Sequence, residues 1–182
     1  MYPLRRTTRS SASRERVLTA VRDLLEAGTF HQSTVEAVAA RAGVSRATLY
    51  QHFGSRLGLV DAICEVMARD PALAALRETD DVAEFLARVT DFWSAEERLV
   101  AQLYGARAVD PAARDFVDRQ RRDRYGELRR LLAAHGRTDK QTLAAFAALT
   151  SFDTYLELRR GSGLSKREVI RTLQRMSSAL LT

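Results

Sequence analysis

The fold is decided by one stretch, Ser33-Thr34-Val35-Glu36-Ala37-Val38-Ala39-Ala40-Arg41-Ala42-Gly43-Val44-Ser45-Arg46-Ala47-Thr48-Leu49-Tyr50-Gln51-His52-Phe53-Gly54-Ser55-Arg56. Its first four residues have the form of a capping box, in which Ser33 accepts from the backbone and Glu36 reaches back. The box predicts a short helix with Val35, Val38, Ala39 and Ala42 inward, ended by Gly43. Ser45 then caps a second short helix, Arg46–His52, which Phe53-Gly54 breaks. Neither segment is long enough to be helical alone in water, so both must lean on neighbours. Two short helices joined by Ala42-Gly43-Val44-Ser45 have the layout of a helix-turn-helix, whose second helix can enter a major groove.

The second helix orients itself at roughly 100° per residue. Leu49 and Phe53 lie one turn apart and must face inward. The opposite side is centred on Ala47, Thr48 and Gln51, small or hydrogen-bonding residues suited to base edges. Arg46 and Tyr50 occupy one flank and His52 the other, within reach of phosphates on either side of a groove. Arg46 can meet a guanine edge or a phosphate. Arg56 opens the next helix, where free N–H groups and a cationic side chain both favour phosphate.

Outward from this stretch the chain reads as helix throughout. Val17, Leu18, Val21, Leu24 and Leu25 form one apolar stripe on a helix over Ser13–Ala27. Before it, residues 1–12 form a polar, basic arm expected to be flexible. Its Arg5, Arg6, Arg9 and the following Arg14 either reach a minor groove or remain solvated. After it, Ser55 caps a helix over Arg56–Ala68. Cap signals at Asp70-Pro71, Ser94–Glu97, Asp110-Pro111, Thr138-Asp139 and Ser165–Glu168 open the later helices, with another predicted over Asp80–Trp93. The long segments Thr138–Arg160 and Ser165–Leu181 are each predicted as one helix. The expectation is an all-α chain of about nine helices: arm 1–12, three-helix head 13–57, and helical-bundle body 58–182.

Composition narrows the function. The chain has 182 residues, 46% hydrophobic and 29% charged, which excludes wholesale disorder. Its net charge of +6 is uneven: residues 1–60 carry nine arginines against four carboxylates, or +5, and the remainder is near neutral. Such a head wants an anionic partner. A lone cysteine, Cys64, excludes an internal disulfide and fits a reducing compartment. The longest run without charge, Gln141–Phe152, is 12 residues, too short to cross a membrane. Arg5-Arg6 lacks the apolar segment an export signal needs, so a cytoplasmic location is expected.

Residues Thr34–Phe53, followed by Ser55-Arg56 and Leu59, resemble the tetracycline-repressor-like (TetR) family of transcriptional regulators. The Tyr50-Gln51-His52-Phe53 ending and the basic residue three positions later make the resemblance specific. It implies a three-helix DNA-binding head, a helical dimer-forming body and a small-molecule inducer. It further implies that Thr34 contacts phosphate at a helix start, that Arg46, Ala47 and Thr48 read bases, and that Tyr50, His52 and Arg56 anchor phosphates. The family usually has lysine where Arg56 stands, which alters the geometry. It often has an acidic or amide residue near Gly58, so glycine there is expected to loosen the helix start.

In the body, Trp93, Tyr104 and Phe146 are the aromatic candidates for a ligand pocket, though each alone reads more simply as core. Asp153, in an apolar stretch, can meet a ligand, pair across a dimer interface or face water. The last two helices resemble a dimer surface. No phosphate-cradling loop, metal-ligand spacing or nucleophile–base pair is present in the sequence, so neither enzyme activity, cofactor nor metal is expected. The leading expectation is a homodimeric regulator on pseudo-palindromic double-stranded DNA, a repressor released by a ligand. Its rivals are a DNA-binding protein without ligand control and a helical adaptor.

Overall fold

The computed structural model describes residues 4–69, 76 and 78–181. It contains ten α-helices among those residues and no strand. They are α1 (Leu4–Glu26), α2 (Val35–Arg41), α3 (Arg46–Phe53), α4 (Arg56–Ala68), α5 (Val82–Ala95), α6 (Glu97–Ala106), α7 (Pro111–Ala134), α8 (Lys140–Leu149), α9 (Phe152–Leu156) and α10 (Lys166–Leu181). A 3-10 turn, Phe30–Gln32, precedes α2, and a π-helical turn, Glu157–Gly161, follows α9. The cap expected at Asp70-Pro71 lies outside the described residues.

The chain divides into two compact units: Met1–Met67 with Arg98–Asp118, and Ala68–Glu97 with Arg119–Thr182. This differs from a single cut after residue 57. Almost all of α4, most of α6 and the start of α7 belong with the head. Helix α1 also begins at Leu4 rather than Ser13, so residues 4–12, expected as a flexible arm, are helical. Once a helix is nucleated each further residue adds a hydrogen bond, and the arginines and alanine of this segment are good helix formers.

The first unit is built on α1, whose Val17, Val21 and Leu25 are buried as the stripe requires. Against it lie α2, through Val38 and Ala39, and α3, through Leu49 and Phe53. Helix α4 completes the core with Leu59, Val60, Ile63 and Met67. Gly58 does not loosen the start of α4. A β-carbon there would stand 1.8 Å from the Phe53 carbonyl oxygen, so the turn between α3 and α4 closes only on glycine.

In the second unit the segment expected as one helix, Thr138–Arg160, breaks at Thr150-Ser151. Short hydroxyl side chains compete for the backbone there: Thr150 Oγ1 donates to the Phe146 carbonyl at 2.8 Å, and Ser151 Oγ accepts from Thr154 N at 3.1 Å. The Thr150 carbonyl accepts instead from the buried indole of Trp93, at 3.1 Å. Trp93 also packs against Phe92 and Phe152, with ring centroids 5.0 and 5.2 Å away. The Ser165–Glu168 box forms as expected, Ser165 N donating to the Glu168 carboxylate at 2.8 Å and Glu168 N to Ser165 Oγ at 3.3 Å.

Glu97 anchors this unit. The Tyr155 hydroxyl donates to one carboxylate oxygen at 2.7 Å and Arg160 Nε to the other at 2.8 Å. Burial pushes the Glu97 carboxyl up, but the hydrogen bonds from Tyr155 and Arg160 outweigh it and hold the group below the usual carboxylate range. Burial, then the bond to Glu97, pushes the Tyr155 phenol up.

Two outcomes follow from these contacts. Gly58→Ala should lower the head's stability by about 1–3 kcal/mol, the range for forced overpacking, read as a lower urea midpoint. Because the folded pKa of Glu97 is depressed, its contribution is present above the unfolded carboxyl pKa of roughly 4.3 and fades as pH falls through the folded value. The melting-temperature gap between wild type and Glu97→Gln should therefore be full at neutral pH and close on acidification. A gap independent of pH would refute the assignment.

Candidate nucleic-acid interface

Helix α3 is short, and its placement comes from both ends and one face. At its start Ser45 Oγ accepts from Thr48 N at 3.1 Å and meets the Thr48 hydroxyl at 2.8 Å. Before it, Gly43 takes φ +62°, the left-handed conformation that lets the chain turn sharply after α2. On the inner face Leu49 is fully buried and Phe53 nearly so. Ala47, Tyr50 and Gln51 are left exposed, with Arg46, on the opposite side.

Helix α2 is capped by Thr34, one residue later than the expected Ser33. Thr34 Oγ1 accepts from Ala37 N at 3.1 Å, whereas the Ser33 hydroxyl donates back to the Thr29 carbonyl at 2.9 Å. The preceding 3-10 turn sets this register, because Ser33 is the residue that closes it. Thr34 remains exposed at the helix start. The shift leaves Glu36 free of the reciprocal role and turns it toward α3, where its carboxylate pairs with Arg46 Nη1 at 2.9 Å. Hydrogen bonding at its own backbone, then the Arg46 charge and the Thr34 hydroxyl, hold Glu36 below the usual carboxylate range. The Arg46 guanidinium lies 5.3 Å from the Tyr50 ring centroid.

Of the expected phosphate contacts, Arg56 is the one placed differently. His52 is half-buried beside Phe53, with ring centroids 6.0 Å apart. Arg56, expected at a phosphate, is turned inward. Its Nη1 donates to the Ser33 carbonyl at 2.7 Å and its Nη2 to the Phe30 carbonyl at 2.6 Å. Nε and Nη2 both donate to the Asp110 carboxylate, at 3.2 and 3.1 Å. The guanidinium also sits 4.1 Å from the Phe30 ring centroid. The planar fork donates four bonds here, one more than a lysine ammonium has to give, and that accounts for arginine at this position. Arg14 is also committed within the head, to Glu65 at 3.4 Å and over Phe53.

The candidate ligand residues have different surroundings within their own units. Phe146 is fully buried and Trp93 holds the Thr150 carbonyl, so both fill the core of the second unit. Tyr104 belongs to the first unit and stacks with Arg107 at 5.5 Å. Asp153 is exposed in the first turn of α9. A cleft of about 280 Å³ in the second unit is lined by other residues, among them Val82, His135, Gln174 and Ser177.

Two capped short helices joined at a left-handed glycine, one held by its apolar face with its polar face outward, define a helix-turn-helix domain. The family model for bacterial regulatory proteins of the tetR family matches residues 17–63, the segment just described. Over this segment the chain is similar to regulators of the tetR family. It is 34% identical over 114 residues to the HTH-type transcriptional regulator AlkX of Mycobacterium tuberculosis, a match covering 60% of this chain and 51% of that protein. It is 28% identical over 102 residues to the HTH-type transcriptional regulator UidR of Escherichia coli, covering 56% and 50%. The chain thus spans about half the length of the curated relatives it matches. In fold it is similar to a crystal structure of a transcriptional regulator from Rhodococcus sp. Rha1, with TM-score 0.69, 20% identity and coverage of 92% and 95%. A TetR-family regulator from Streptomyces coelicolor gives TM-score 0.61 at 16% identity, covering 94% and 95%.

Arg56→Ala should act on folding. Removing the two bonds donated to the largely buried Asp110 carboxylate and the one donated to each of two backbone carbonyls costs about 2–4 kcal/mol, somewhat under the loss of a fully buried pair. Denaturant unfolding of Arg56→Ala checks this. An unchanged midpoint would restore Arg56 to an external role.

Proposed function

We propose that this protein is a homodimeric transcriptional regulator that binds a pseudo-palindromic operator in double-stranded DNA, and that it represses until a small molecule binds the body. The observation that carries DNA binding is the outward face of α3: Arg46, Ala47, Tyr50 and Gln51 exposed, on a helix immobilised through Leu49 and Phe53. Thr48 lies half-buried beside them, its hydroxyl 2.8 Å from that of Ser45. Thr34 at the start of α2 offers a hydroxyl to a phosphate, and His52 one flank of α3. Arg56 supports this face from behind.

The dimer is proposed through the last two long segments, α8 with α9, and α10. Paired across a twofold axis they make a four-helix bundle. Met176 on α10 is 47% exposed, an apolar side chain that such a bundle covers. Twofold symmetry places two copies of α3 in successive major grooves, roughly 34–36 Å apart. A ligand that binds better to a dimer with a different head spacing releases the DNA by that difference in affinity alone. No catalytic step is assigned.

Selection of bound fragments from genomic DNA by the full-length protein should return an inverted repeat. Tyr50→Ala, at an exposed position, should keep the wild-type melting temperature and lose at least about tenfold in affinity for that repeat. Equal retention of random fragments would favour a binder without sequence preference. Retention unaffected by Tyr50→Ala would favour the adaptor.

A further inference from the structure

The Glu36–Arg46 pair is an odd feature for a surface that meets DNA. Glu36 is a carboxylate in the first turn of α2, beside Thr34, where a phosphate is to be held. Negative charge there opposes the polyanion. The pair is also open to solvent, 53% of the Glu36 side chain and 63% of the Arg46 side chain being exposed. Exposed ion pairs contribute little to folding. The geometry gives it another use. Glu36 takes Nη1 of Arg46 at 2.9 Å, and the Tyr50 ring centroid lies 5.3 Å from the same guanidinium. A long side chain with many rotamers thereby has two partners that restrict it, on the exposed face it shares with Ala47 and Gln51.

We propose that Glu36 is a positioning and specificity-determining residue: by holding Arg46 against Tyr50 it aims the free edge of the guanidinium at a guanine, and by its charge it penalises phosphate as a substitute. This rests on the DNA-binding reading of α3. A bidentate contact from arginine to guanine O6 and N7 requires a fixed fork. An untethered Arg46 turns to the nearest phosphate, which is present at every sequence. A phosphate that draws Arg46 from Glu36 leaves an unpaired carboxylate facing the backbone, whereas a guanine engages the remaining N–H groups with the pair intact. The arginine thereby loses affinity for arbitrary DNA and keeps it for one base.

The test measures affinities of the full-length protein for its selected fragment and for random duplex, over a range of salt. Glu36→Gln should bind random DNA more tightly, with a salt slope steeper by about one, and its preference for the selected fragment should fall about tenfold. Glu36→Asp keeps the charge but is one methylene short; it should bind random DNA as wild type does and still lose preference. In an Arg46→Ala background neither substitution should change the ratio. Melting temperatures should match across the Glu36 variants, so a change in ratio is not a change in folding. An unchanged ratio in Glu36→Asp, or the same loss with Arg46 absent, overturns the positioning role. Wild type showing no preference for any fragment would instead overturn the DNA-binding reading itself.

Discussion

An eight-residue helix cannot persist in water on its own hydrogen bonds, and everything proposed for this protein depends on α3 persisting. What holds it is burial of Leu49 and Phe53 against the head, backed by the Ser45 cap. These contacts fix the rotation of α3 about its axis. Turning the helix by one residue would bury Tyr50 in place of Leu49 and move the polar face off the surface. Two apolar side chains and one serine thus determine which residues can face DNA, although none of the three needs to touch it.

The second constraint lies behind that face. The start of α4, the 3-10 turn before α2 and the start of α7 converge on the Arg56 guanidinium, which binds two carbonyls and the Asp110 carboxylate. The Phe30 carbonyl also accepts from Ser33 N, the bond that closes the turn setting the register of α2, so Arg56 grips that turn through its backbone. Its partner Asp110 is 54 residues distant in sequence. That contact draws the start of α7 into the first unit, while the rest of the same helix belongs to the second.

Much of this was legible in the sequence, and the failures share a cause. Leu49, Phe53, Gly43 and the Ser45 and Ser165 caps were readable because each acts within about one helical turn of itself, where spacing and propensity suffice. The cap at Thr34 was misread as Ser33 because both are good caps and only the 3-10 turn upstream separates them. Thr138–Arg160 read as one helix because nothing local reveals that the Trp93 indole accompanies a break by taking the Thr150 carbonyl. Arg56 matched a phosphate-binding position by type. Its actual partners, Phe30, Ser33 and Asp110, lie 23 to 54 positions away, beyond any periodicity. Gly58 looked weak because propensity counts the missing side chain and not the Phe53 carbonyl that occupies its space. The Glu36–Arg46 pair spans the helix-turn-helix itself, so neither helix's pattern contains it.

The two arginines of this head show how burial sets the role of the same side chain. Arg56 is 26% exposed and its carboxylate partner 10%; with water largely excluded, losing either one removes bonds that water cannot readily replace, and the pair is bound to folding. Arg46 and Glu36 are each more than half exposed, so water can replace either partner at small cost. A contact so easily exchanged is of little use as a staple. On the DNA-binding proposal its use is to bias which acceptor Arg46 meets, because a phosphate must displace Glu36 whereas a guanine edge need not. The buried pair of this head serves the scaffold, and the exposed pair is free to serve selectivity.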